Sequence, residues 1–433
     1  MEITWLSTSL CLLFLSFAFN IFLQRRRIHP HLPPSPPAIP ILGHLHLLLK
    51  PPIHRQLQSL SKKYGPIFSL RFGSSPVVII SSPSTVEECF TKNDIIFANR
   101  PRWLIGKYIG YNYTTIASAS YGEHWRNLRR LSALEIFSSN RLNMFLGTRR
   151  DEIKILLHRL SQNSRDNFAR VELRPMFTEL TCNIIMRMVT GKRYYGEDVD
   201  SEEAKRFQKI MRGIFELAGH QIQEIFCLYY GGLILGGLVN KNSMIDHLLS
   251  LQKSEPEYYT DEIIKGLALI LTFAGTDTTA TTIEWAMSLL LNHPDVLKKA
   301  RAELDTHVGK DHNCQIGGFD IPRGTILLVN ALAIHRDPKS WKDATSFKPE
   351  RFENGESEAY KLLPFGFGRR ACPGAGLANR VIGLTLGLLI QCYEWERVSE
   401  KEVDMAEGKG VTMPKLEPLE AMCKARAIIR KLA

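Results

Sequence analysis

The chain has 433 residues, 44% of them hydrophobic, and a net charge of +11 spread along its length. That is enough apolar material for a large core, and it excludes wholesale disorder. No nucleic-acid module is evident, so the basic surplus reads as affinity for anionic membrane or an acidic partner. Eight cysteines without a CxxC pattern or dense framework point to reduced thiols in the cytosol.

Ile3 to Leu23 carries no charge between Glu2 and Arg25, and Arg25-Arg26-Arg27 closes it. At about 1.5 Å per residue such a segment just spans the hydrocarbon of a bilayer. A cleavable signal would place its positive charge before the apolar run, whereas here it follows. The reading is an uncleaved anchor over residues 1–24, with the body on the cytosolic side. A basic and proline-rich hinge follows over 25–40, including Leu32-Pro33-Pro34-Ser35-Pro36-Pro37, a stiff spacer between membrane and the body of the chain.

Ile67–Phe72 and Val77–Ser81 alternate around Gly73-Ser74-Ser75-Pro76 and predict a hairpin. Ser82-Pro83 opens a short helix carrying Val86 and Phe90. Trp125, Arg126, Arg129 and Arg130 lie in a helix after Gly122, with Trp125 and Arg129 on one face. Taken alone, that pattern is a solvated basic face with one buried indole. Residues 140–258 are mostly helical in pattern. The glycine-rich run Tyr229–Gly237 lacks the lysine and hydroxyl of a phosphate-binding loop and receives no site.

Thr260 caps a helix with Asp261 and Glu262 in its first turn, and apolar residues continue to His293 before Pro294. The span is roughly 50 Å at the standard rise, enough to cross a whole domain. In its middle lies Ala274-Gly275-Thr276-Asp277-Thr278-Thr279, where the Thr278 hydroxyl can bond back to the Ala274 carbonyl. Gly275 leaves room for a diatomic ligand or water. A charged helix then runs to about Val308, Phe319–Thr325 reads as a turn, and Ile326–Asn330 reads as a strand.

Near the C-terminal end stands Pro364-Phe365-Gly366-Phe367-Gly368-Arg369-Arg370-Ala371-Cys372-Pro373-Gly374, followed by an apolar segment to Tyr393. Pro373 suits a first helical position, which places the Cys372 sulfur at a helix N-terminus that favours an anion. Glycines at 366, 368 and 374 let backbone pass close to a flat object, and two arginines can neutralise its carboxylates. A thiolate, a flat face and carboxylates together describe haem held by cysteine.

The Phe-x-x-Gly-x-Arg-x-Cys-x-Gly spacing from Phe365 to Gly374 resembles the cytochrome P-450 superfamily of haem-thiolate monooxygenases. The resemblance implies a mainly α fold with small β-sheets (α+β), formed by residues 41–433 behind the anchor. It implies Cys372 as the axial ligand of the haem iron and Arg370 as a propionate contact, with Phe365, Gly368 and Gly374 against the cofactor. It implies Trp125 and Arg129 on the haem propionates. Ala274 and Gly275 would line the oxygen-activation groove, with Thr278 in its hydrogen-bond network and Asp277 relaying protons. Phe347-Lys348-Pro349-Glu350-Arg351-Phe352 matches another element of the family, whose arginine braces the cysteine loop.

No dinucleotide fingerprint follows a strand, so the chain itself should not bind NADPH. The resemblance implies an NADPH-dependent cytochrome P-450 reductase as electron donor, O2 and a small lipophilic substrate, and residence in the endoplasmic reticulum membrane. Phe97–Arg102 through Tyr111-Asn112-Tyr113 resembles plant isoflavone 2'-hydroxylase-like members, which implies a phenolic or flavonoid-type substrate.

The resemblance breaks at two places. Residues 219–237 read as shortened and rewritten, and the family's Glu-x-x-Arg helix has no counterpart near 309–315. Lys310–Cys314 can reach about 17 Å at most, too little for a helix and a return strand. The spacing recurs at Glu123–Arg126, Glu203–Arg206 and Glu394–Arg397, all outside the required place. Arg351 is then expected to be buried without its carboxylate, at about 3–5 kcal/mol. Poor haem loading follows from that expectation, and with it the alternative of a non-catalytic, membrane-anchored product.

Overall fold

The computed structural model describes residues 32–49, 52–108, 110–165, 167–196, 199, 201–217, 243–303, 319, 321, 325–352, 360–408 and 412–431. The anchor over Ile3–Leu23 and the segments 219–237 and 309–315 lie outside the described residues, as does most of the Phe319–Thr325 turn. In chain order the principal elements are α1 (Ile53–Tyr64), β1 (Ile67–Phe72), β2 (Ser75–Ile80), α2 (Pro83–Phe90), α3 (Asp94–Phe97) and α4 (Glu123–Leu131). Then come α5 (Leu146–Ser164), β3 (Ala169–Glu172), α6 (Leu173–Val189), α7 (Asp261–Asn292), α8 (Pro294–Glu303), β4 (Ile326–Val329) and α9 (Ala331–His335). The last are α10 (Ala375–Cys392), β5 (Tyr393–Glu396) and β6 (Glu420–Ala425). Helices dominate, with two three-stranded sheets among the described residues, as expected.

Two compact units divide the chain: Met1–Ala98 with Val308–Ala371, and Asn99–His307 with Cys372–Ala433. The first is built on the sheet β1-β2-β4, in which β1 and β2 are antiparallel and β2 and β4 parallel. The hairpin turn is tighter than the alternation predicts, because β2 starts at Ser75. Pro76 therefore lies within the strand, one residue ahead of the first β4 partner at Val77, where a missing N–H is tolerated. Val77-Val78-Ile79-Ile80 is buried on both faces, as a continuous apolar run in a central strand should be. Val77 and Ile79 pack with Phe68, Leu70 and Leu57 of α1. Val78 and Ile80 pack with Val86 and Cys89 of α2, Ile334 of α9 and Leu363. Ser82 caps α2 by accepting from the Thr85 N–H at 3.3 Å, as its position before Pro83 predicts.

The second unit is organised around α7, which starts and stops where the Thr260 cap and Pro294 predict. It packs along α6, which is buried over most of its length, as α7 is over half of its own. Thr181 of α6 reaches across to donate to the Thr276 carbonyl at 3.0 Å. A polar stripe on α7 then fixes the chain beyond β5. Glu284, 1% exposed, pairs with Arg174 at 2.9 Å and accepts the Leu419 N–H at 2.8 Å. Trp285 donates to the Met413 carbonyl, and Asn292 exchanges two bonds with Val403.

Gly275 has a packing task that its sequence context does not announce. A Cβ placed there would lie 2.7 Å from Cδ1 and 3.0 Å from Cγ1 of Ile185, so the glycine lets α6 approach α7. Gly275→Ala is expected to lower stability by about 1–2 kcal/mol, overpacking outweighing the gain in helix propensity. Ile185→Val removes Cδ1, so the double mutant should melt above Gly275→Ala alone. Thermal unfolding of the four proteins measures this coupling.

Candidate functional site

The cysteine loop begins in the first unit. His335 of α9 accepts the Leu363 N–H on Nε2 at 2.8 Å, and Leu363 and Phe367 pack onto the sheet core. Phe367 also stacks on Tyr360 at 4.7 Å between ring centres, while Phe365 is half-buried. Gly366 and Gly368 have φ of +67° and +69°, in the left-handed region that only glycine enters without strain. The Asp94 carboxylate accepts the Arg369 N–H on both oxygens, at 3.1 and 3.2 Å. Arg370, expected on a propionate, gives its Nε to the Ala98 carbonyl at 2.6 Å.

Cys372 belongs to the second unit. Helix α10 begins at Ala375 with Gly374 as its cap residue, so Pro373 precedes the cap and does not hold the first helical position expected of it. Of the described free cysteines Cys372 is exposed, whereas Cys89, Cys182, Cys392 and Cys423 are buried. Burial pushes the Cys182 thiol up to about 12, which is how an inert core thiol behaves. A Cβ on Gly374 would meet only the Phe137 ring at 3.7 Å and the Cys372 sulfur at 3.9 Å, ordinary contacts. Nothing in the chain around Gly374 therefore demands a glycine there.

Helix α4 carries Trp125 and Arg129 on one face, as its spacing predicts, with Arg126 and Arg130 exposed. Trp125 is 4% exposed and gives its single donor to the Ile116 carbonyl at 3.1 Å, which ties the preceding segment to the helix. Arg129 is half-buried. Burial holds its guanidinium below the usual arginine range, and the Cys372 sulfur opposes that by favouring the cation.

On α7, Ala274, Thr278 and Thr282 are exposed although half of the helix is buried. The Thr278 hydroxyl donates to the Ala274 carbonyl at 2.6 Å, the predicted back-bond, and Thr282 repeats it onto Thr278 at 2.7 Å. Asp277 is half-buried, and its Oδ2 accepts from the Thr412 hydroxyl at 2.5 Å. Helices α7 and α10 pack on each other. An exposed thiol beside a half-buried guanidinium, and an exposed strip of small and hydroxyl side chains, form a donor set that fits haem held by a thiolate.

Arg351 departs from expectation. It lies in the turn Pro349–Phe352, none of whose residues is buried, and its Nη2 donates to the Asp343 carbonyl. A partly exposed, hydrogen-bonded guanidinium carries no large desolvation cost, so the destabilisation expected from a missing carboxylate does not arise. The nearby copies of the spacing are coincidental in at least one case, since Glu203 pairs with Lys192 at 3.0 Å and Tyr194. Sequence reasoning did not single out Asp94, His335 or Thr412, whose partners lie far away in the chain.

His335 is largely desolvated, and burial holds its pKa below the ordinary 6.5. The unfolded chain then takes up the proton first on acidification. The stability from a neutral His335 is complete above pH 6.5 and is lost as pH falls below it toward the depressed value. His335→Gln accepts without titrating, so it should flatten the acid limb of a stability–pH curve measured by denaturant unfolding.

The cytochrome P450 family model matches residues 33–234, 237–316 and 311–419. Cytochrome P450 81Q32 of Catharanthus roseus is 51% identical over 492 aligned positions, covering 99% of this chain and 98% of that one. Isoflavone 2'-hydroxylase of Glycyrrhiza echinata is 48% identical, covering 99% and 98%. The (+)-piperitol/(+)-sesamin synthase CYP81Q2 of Sesamum radiatum is 47% identical, covering 100% and 99%. A zebra fish cytochrome P450 solved with abiraterone shares the fold, with a TM-score of 0.71 at 24% identity over 87% of this chain and all of that one. The exposed thiol and its arginine thus sit in a fold and a sequence of one kind, and the chain belongs to the cytochrome P450 family of haem-thiolate monooxygenases.

Proposed function

We propose that the chain hydroxylates a phenolic, isoflavonoid-like plant metabolite on its aromatic ring. The observation that carries this reading is the near-full-length similarity to isoflavone 2'- and 3'-hydroxylases at 48 and 49% identity. The lignan-forming relative from sesame, at 47%, supports the phenolic class more broadly. Electrons come from an NADPH-dependent reductase in the endoplasmic reticulum membrane, where residues 1–24 anchor the chain and 25–40 form the hinge. The apolar run closed by three arginines supports that orientation. The non-catalytic alternative finds no support in the fold or in the relatives.

In this reading Cys372 is the axial ligand, and Arg129 and Arg370 supply positive charge for the propionates. Trp125 fixes the segment ahead of α4, and Phe365, Gly368 and Gly374 shape the loop. Haem bound there supplies the oxygen-activating chemistry. The chain's own residues exclude water, orient the ring and handle protons. The Thr278 hydroxyl holds its proton toward the Ala274 carbonyl and can turn it outward, on the exposed strip that Ala274 shares. Asp277 passes protons from its Oδ2, the oxygen that Thr412 holds.

The body is shortened near 219–237 and 309–315. The family match is interrupted at 234–237 and doubles back at 311–316, which supports both places. The alignment to the Catharanthus relative runs over 492 positions against a chain of 433, so at least 59 of them have no counterpart here.

The test is a reconstituted membrane assay with reductase, NADPH and a panel of isoflavones and lignans, products being identified by mass. Conversion of none of the phenolics, with turnover of a terpenoid or fatty acid instead, would sink the substrate class. Cys372→Ala should abolish the thiolate-type band of the reduced, carbon-monoxide-bound protein. Thr278→Ala should keep that band and substrate binding but divert NADPH to peroxide, by about 10-fold or more in coupling. Unchanged coupling would reduce the Thr278 bond to a helix bend.

A further inference from the structure

We infer that Asp94 is a positioning residue for the axial thiolate, its carboxylate clamping the cysteine loop three residues ahead of Cys372. The inference rests on the reading of Cys372 as the haem ligand. Asp94 opens α3, and its side chain is 13% exposed. Both of its oxygens accept the Arg369 main-chain N–H, at 3.1 and 3.2 Å, and Oδ2 also pairs with Arg369 Nε at 3.1 Å. Main chain and side chain of one loop residue are thus held by one carboxylate.

Gly368 completes the clamp. A Cβ there would lie 2.6 Å from Asp94 Oδ1 and 3.1 Å from both Cβ and carbonyl oxygen of Phe90, so any other residue would displace the carboxylate. The positive φ of Gly368 turns the chain so that the next N–H faces Asp94. At the far end of α3, the Ala98 carbonyl takes Arg370 Nε at 2.6 Å. Two successive loop residues are therefore anchored to one short helix, whose Phe97 packs on the sheet core beside Phe90 of α2. Arg351, the residue whose relatives would brace this loop, is turned instead to the Asp343 carbonyl. Hydrogen bonds to an ionised acceptor are about twice as strong as neutral ones and fix direction as well as distance. Cys372 stands three residues further along the same loop.

The experiment uses the full chain loaded with haem and three variants that dissect the clamp. Arg369→Ala removes the ion pair but keeps the main-chain N–H. Asp94→Asn keeps a neutral acceptor, and Asp94→Ala removes both. The readout is the ratio of thiolate-type to neutral-thiol-type carbon-monoxide bands at equal haem content, with far-UV circular dichroism as the measure of folding. The expected order of loss is Arg369→Ala, then Asp94→Asn, then Asp94→Ala. The last should shift the ratio by about 10-fold or more, the scale of losing a charged hydrogen-bond acceptor.

A parental ratio in Asp94→Ala overturns the inference, even if its melting temperature falls, because a merely structural carboxylate would lower stability and leave the ligand type unchanged. If Asp94→Ala does not accumulate as folded protein, Asp94→Asn decides, and a parental ratio there overturns it equally. A parent chain without a thiolate band, or one whose band survives Cys372→Ser, defeats the assignment of Cys372 and the clamp with it.

Discussion

A thiol serves as a metal ligand only where something favours its anion, and a buried, apolar cysteine has nothing of the kind. Cys372 is the exception among the described free cysteines: exposed, just ahead of α10, with the Arg129 guanidinium close enough to feel its charge. The half-buried arginine is held as a cation partly by the sulfur, against the burial that disfavours its charge. The rest of the architecture keeps that pairing in place. Helix α4 is anchored by a buried Trp125 whose one donor is committed to Ile116, and α10 packs on α7.

Helix α7 carries the second constraint. It has two polar tasks at different heights along its axis. Its C-terminal third fixes the chain after β5 through Glu284, Trp285 and Asn292, with Arg174 neutralising the most deeply buried of them. Leaving Glu284 unpaired would be far more costly than an exposed ion pair is worth. Its middle exposes Ala274, Thr278 and Thr282, and the two threonine hydroxyls turn back into the helix. Such hydroxyls are satisfied without a partner and remain available to one. Gly275 takes the contact with Ile185.

Much of this was legible from residue order because the forces concerned are local. Caps, turn glycines and periodicity act within about five residues. So the Ser82 and Thr260 caps, the long helix and the Thr278 back-bond all stand where the sequence places them, and the hairpin forms there with a tighter turn. The pattern from Phe365 to Gly374 carried the cofactor, since few other structures need glycines, an arginine and a cysteine at that spacing. Errors arose where a side chain's partner comes from elsewhere. Arg351 was read as a buried brace, and a neighbouring turn decides otherwise; the packing of Gly275 against Ile185 was not foreseen, because it depends on a facing helix.

By itself, then, the sequence determined the helical class, the ends of the long helix and the family of the chain. Those features depend on short-range sterics, hydrogen bonding and a motif of contiguous residues. Only the tertiary structure decided which carboxylate holds the loop, which carbonyl takes Arg370 and which hydroxyl holds Asp277. Asp94 and Arg369 are 275 positions apart, and nothing in either neighbourhood encodes the other. Their pairing exists because α2 and α3 and the loop are packed on one sheet, which brings a backbone N–H to a carboxylate from a distant part of the chain.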